Sequence, residues 1–132
     1  MEEFSYKVKV AVIKLLGEIL NADKIVHEKE VEYLNEVIKS FGLKENYKED
    51  VDALLTLEAL ATIRILSVDK KREIAKMMGK MIVVDEDINY NEVKLYNAFR
   101  ELCDIEKDFS VDDYPEYSLS GPFINSEEML MG

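Results

Sequence analysis

The sequence predicts an all-α protein: one domain built from two copies of a helical hairpin, followed by a tail of different character. Three observations carry this expectation. Apolar residues recur at spacings of three and four over long stretches, and strict alternation is absent throughout, so no strands are assigned. Only two prolines and five glycines stand in 132 residues, which leaves room for long uninterrupted helices. Residues 14–43 also align with 76–105, at an offset of 62 and without a gap. The six identities are Lys14/Lys76, Gly17/Gly79, Asp23/Asp85, Glu30/Glu92, Val31/Val93 and Asn35/Asn97, where composition alone would give about two.

The first helix is expected over residues 4–22, where Val8, Val10, Ala11, Val12, Leu15, Leu16, Ile19 and Leu20 form an apolar stripe. Lys7, Lys9, Lys14 and Glu18 fall mostly on the other side. Gly17, echoed by Gly79, would cost such a helix about 1 kcal/mol relative to alanine. Its recurrence points to a close approach of two helices, with simple drift as the alternative. The second helix should run from about Glu28 to Phe41 and bury Val31, Leu34, Val37, Ile38 and Phe41. Gly42 stops it, and Lys39 in its last turn suits the dipole.

Residues 44–66 read as two shorter helices, with Asn46 and Glu49 placed to cap the first and Thr56 separating them. Ser67 then caps a long helix reaching about Val84, with Ile74, Met77, Met78, Met81 and Ile82 buried. Methionines at that spacing fill cores rather than ligate. A last helix from about Tyr90 to Cys103 turns Val93, Leu95, Tyr96, Phe99 and Leu102 inward. The domain is therefore drawn over 1–105, and residues 106–132 form an irregular acidic and aromatic tail. That tail holds both prolines and should pack on the domain or on a neighbouring chain.

A net charge of −11 argues against nucleic acid, whose binding depends on a basic footprint. One cysteine excludes an internal disulfide. The acidic N-terminus lacks the apolar core of a signal peptide, and no apolar run approaches the roughly 18 residues that cross a bilayer. The cytoplasm is the default location. Glycine-rich phosphate loops and a Gly-x-Ser-x-Gly elbow are both missing, and Cys103 lies at the wrong helix end for an activated thiol. The chain is read as a non-enzyme.

The repeated acidic pair is the main functional clue. Glu30 and Glu92 should each be the third residue of a helix, behind His27 or Asn89 at the N-cap. Val26/Val31 and Ile88/Val93 would supply a hydrophobic staple, which makes a structural role for both glutamates natural. Asp23 and Asp85 should fall at helix C-termini, where the dipole disfavours a carboxylate. If the hairpins pack about a pseudo-twofold axis, all four carboxylates could converge. They would then need a lysine cluster or a divalent ion, with calcium or magnesium favoured by hard oxygen ligands.

Neighbouring ideas fail on their own residues. Asp85-x-Asp87-x-Asn89 imitates an EF-hand start, but Tyr90 and Tyr96 stand where its glycine and bidentate glutamate belong. A structural zinc site or a di-iron bundle needs more histidine or cysteine than one of each.

Two helical hairpins, each carrying Asp, six residues, then Glu, resemble the tellurite-resistance TerB-like family over roughly residues 5–105. The resemblance implies an all-helical domain of about seven helices with a cation-binding acidic site, here Asp23, Glu30, Asp85 and Glu92. It also implies a link to metal or chemical stress in bacteria. Related domains occur in membrane-tethered J-domain co-chaperones, which implies an interaction module as the alternative, with acidic turns docking a protein partner and the tail mediating self-association. Family turns usually place glycine after the aspartate, where this chain has Lys24 and Glu86.

Overall fold

The computed structural model describes residues 3–22, 27–84, 88–106 and 114. Six helices occupy them: α1 (Tyr6–Leu20), α2 (Glu28–Ser40), α3 (Tyr47–Ala53), α4 (Thr56–Arg64), α5 (Val68–Val83) and α6 (Tyr90–Leu102). No strand occurs among the described residues. The all-helical class agrees with the sequence, and the described residues hold six helices where about seven were expected.

α1 is the axle of the fold, in contact with each of the other five helices. Its apolar residues explain why: Ala11, Val12, Leu15, Leu16 and Ile19 are wholly buried. Such a helix is covered on several sides rather than along one stripe. α5 is its counterpart, with Ile74, Met78, Met81, Ile82 and Val83 also wholly buried. α1 and α5 pack on one another, and each is flanked by the second helix of its own hairpin, α2 or α6. α4 crosses between the halves, lying mainly on α1 and touching α6.

The duplication is visible in caps and clamps well beyond the aligned stretch. Ser5 caps α1 by accepting from the Val8 amide, and Ser67 caps α5 by accepting from the Lys70 amide, both at 3.3 Å. At the far end of each hairpin the chain closes in a Schellman turn. Gly42 (φ 69°) and Asp104 (φ 62°) take the left-handed position. The Leu43 amide then donates back to Ile38 O at 3.4 Å, and the Ile105 amide to Arg100 O at 2.8 Å.

A lysine from the first helix seals each turn. Lys9 Nζ donates to Phe41 O at 2.9 Å, and Lys71 Nζ donates to Cys103 O at 3.2 Å. Every one of these pairs is separated by the same 62 residues. Lys71 does more than its twin: it also donates to Arg64 O (3.3 Å) and Asp104 O (3.2 Å), so one buried ammonium closes the C-terminal ends of α4 and α6 together. Helix C-termini present unsatisfied carbonyls and negative potential, which suits a cation.

Two packing expectations need correction. Leu102 is exposed, because the buried stripe of α6 runs Glu92, Tyr96, Phe99, Cys103 and leaves position 102 outside it. The glycines do not mark a helix–helix contact. A Cβ on Gly17 would meet nothing within 4 Å, whereas one on Gly79 would fall 1.8 Å from the Tyr114 hydroxyl. What approaches α5 so closely is a side chain from beyond residue 105. Tyr114 is buried, and its hydroxyl donates to Lys76 O at 3.4 Å.

Candidate functional site

The N-termini of α2 and α6 carry the acidic residues singled out by the repeat. His27 and Asn89 are the N-caps in extended conformation, so Glu30 and Glu92 are indeed third residues of their helices. Asn89 Oδ1 accepts from the Glu92 amide at 3.1 Å, which is one half of a capping box. His27 takes the equivalent place without a side-chain capping bond. Ile88 and Val93 both pack against the core, as a staple requires; Val26 of the first copy lies outside the described residues.

The burial of the two glutamates goes beyond capping. Glu30 and Glu92 are both 0% exposed, among the most deeply buried side chains of the protein. Each lies on the inward stripe of its helix, Glu30 in line with Tyr33, Val37 and Phe41, and Glu92 with Tyr96, Phe99 and Cys103. Both are held by interactions within the chain. Glutamate is rarely buried to this degree, and an ionised carboxylate is stable there only with compensating partners or a metal ion. Both also sit in the first turn of a helix, whose positive end favours negative charge.

Asp23 and Asp85, the other two members of the predicted site, lie outside the described residues, as do Lys24, Glu86 and Asp87 of the same turns. They follow the C-caps of α1 (Asn21) and α5 (Val84) by two residues and by one. Among the described residues no group of three or more His, Cys, Asp or Glu side chains is placed to hold a metal.

A second feature was not foreseen. A cleft of about 850 Å³ runs along α5, lined by Lys71, Arg72, Lys76, Tyr96, Glu106 and Tyr114 among others. Lys71 is committed to three carbonyls there, so it serves as a clamp. The signal for it was present: Lys9 and Lys71 are identical at the repeat offset, a few residues upstream of the aligned segment. Cys103 also borders the clamp. It is wholly buried, its Sγ lies 3.7 Å from Leu60 O, and burial pushes its thiol up to about 11 against the opposing pull of Lys71 and Arg64. A thiol so placed is a core residue rather than a nucleophile, in line with the sequence reading.

Among the described residues no helix is long and apolar enough to cross a membrane. No family model matches the chain, and no curated protein matches it. Among solved structures it is similar to PG1108, a protein of unknown function from Porphyromonas gingivalis W83. The match has a TM-score of 0.72 at 20% identity, covering 89% of this chain and 100% of the other. That likeness shows a shared helical fold.

Proposed function

We propose that this chain is a TerB-like, non-enzymatic helical protein that binds a divalent cation, calcium or magnesium, through its duplicated turns and acts in a chemical-stress response such as tellurite resistance. Asp23, Glu30, Asp85 and Glu92 are the proposed ligands. The observation that carries the reading is the complete burial of Glu30 and Glu92 at equivalent places in the two hairpins. Two carboxylates buried at equivalent helix starts are candidates to ligate a cation. A purely solvated capping role would leave them at the surface.

The test is thermal unfolding of chelated protein against added calcium, magnesium, manganese and zinc. A variant with Asp23→Asn, Glu30→Gln, Asp85→Asn and Glu92→Gln runs in parallel. A cation at about 100 times its dissociation constant stabilises the folded state by about 2.7 kcal/mol. The wild-type midpoint should rise with one of these ions and the variant's should not. The absence of any shift in wild type refutes the cation reading.

The second reading is a metal-free interaction module whose acidic turns dock a protein partner. The bond from the Glu92 amide to Asn89 favours it, because that bond accounts for this N-terminus by ordinary capping. On this reading the quadruple variant is as stable as wild type, or more so, and no ion alters either.

A further inference from the structure

α4 carries apolar residues on its solvent side as well as on its buried side. One face, Ala59, Leu60 and Ile63, is buried against the body of the protein. The opposite face shows Leu57 at 72% exposure, Ala61, also exposed, and Ile65 at the C-cap at 84%. These recur every four residues, so they line up along the solvent side. A stripe of this kind marks an interaction surface.

Its sequence is a palindrome in physical character about Ala61. Leu57 and Ile65 lie four residues to either side, and Glu58 and Arg64 lie three to either side. We propose that α4 is a self-association surface, pairing antiparallel with α4 of a second copy about a twofold axis at Ala61. The small Ala61 side chains meet at the axis and let the backbones approach. Leu57 of each copy packs on Ile65 of the other, and Glu58 of each copy meets Arg64 of the other. A twofold interface demands such self-complementarity, because each residue must fit its mirror position.

The charged pair has capacity for this. Glu58 Oε1 accepts from the Leu55 amide and one Arg64 amino group donates to Leu102 O, both at 2.9 Å. The second carboxylate oxygen and the remaining guanidinium N–H groups are left for the partner. The net charge of −11 opposes association at long range, but at physiological salt it is screened beyond about 8 Å. A nine-residue helix is only about 14 Å long, so the contact falls below the roughly 800 Å² per partner of a standard interface. The dimer is therefore weak, in the micromolar range.

Sedimentation equilibrium of the full chain from about 1 to 500 μM spans that range. Wild type should pass from monomer to dimer. Ala61→Glu and Ala61→Lys each bring like charges together at the axis, and each should weaken the dimer at least tenfold. Both are good helix formers at an exposed position, so circular dichroism should show intact folds. An equimolar mixture of the two variants should recover the dimer, since opposite charges then meet. A wild type that stays monomeric throughout overturns the proposal and leaves the stripe to a different partner. A dimer that survives both substitutions also overturns it, as does a mixture that fails to recover.

Discussion

Substituting alanine at Gly17 and at Gly79 makes the same chemical change at equivalent points of the two hairpins, and the structure predicts opposite signs. Both glycines lie inside helices, where replacement by alanine gains about 1 kcal/mol of propensity. At Gly17 the new methyl meets nothing within 4 Å, so the gain is realised in full. At Gly79 the methyl would sit 1.8 Å from the Tyr114 hydroxyl and 2.6 Å from its ring carbon, so the tyrosine must leave or shift. Displacing it forfeits about 1.5–3 kcal/mol of side-chain burial and about 1 kcal/mol of hydrogen bonding to Lys76 O. The balance is a net loss of about 1.5–3 kcal/mol for Gly79→Ala.

Urea unfolding of Gly17→Ala, Gly79→Ala, Tyr114→Ala and the Gly79→Ala/Tyr114→Ala double variant measures each term. Once Tyr114 is gone the clash is gone, and Gly79→Ala should turn stabilising by about 1 kcal/mol. The coupling between the two sites should therefore reach about 2.5–4 kcal/mol. Equal effects of Gly79→Ala with and without Tyr114 would refute the contact between the two residues.

Two further outcomes follow from the clamp. Lys71→Met removes a buried cation from three carbonyls and should cost about 2–4 kcal/mol, whereas Lys9→Met removes one half-buried bond and should cost about 1 kcal/mol. Chemical denaturation checks the ranking, and equal costs would remove the second helix end from the role of Lys71. Cys103 gives a pH signature. Its thiol is raised from an ordinary 9.0 to about 11, so the stability it contributes is complete below about pH 9 and is lost as pH rises toward 11. The stability of wild type relative to Cys103→Ala should therefore fall across that window and stay constant below it.

Helix positions were legible because they rest on periodicity and punctuation. The sequence pointed to a long helix capped by Ser67, one ended by Gly42, and two short helices between 44 and 66, and the structure has them at those places. The capping role of Asn89 was readable for the same reason, since a cap is a local pattern. Three things were not readable. That Glu30 and Glu92 are wholly buried depends on which face of each helix meets the rest of the fold. Asp104 replaces glycine at a left-handed position, so composition gave no sign that the second hairpin ends like the first. The identity of Lys9 and Lys71 at the repeat offset marks the position of the clamp, but the Cys103 and Asp104 carbonyls that Lys71 joins lie far away in the chain and are not written in that identity.

The two halves end alike, in a left-handed residue at Gly42 and at Asp104, and then diverge. After the Schellman turn at Gly42 the chain runs into α3, which folds back onto α1, tied in part by the Tyr6 hydroxyl donating to Asp50. After the turn at Asp104 the chain reaches Tyr114, which folds back onto α5 beside Lys76 and Gly79. Each hairpin is thus covered on its first helix by the segment that follows its second. In the first half that cover is helical and was recognisable by composition. In the second it includes the buried Tyr114, whose side chain lies over Gly79. Gly79 thus carries a contact that Gly17 lacks, and the one glycine identity of the repeat sits in two different surroundings.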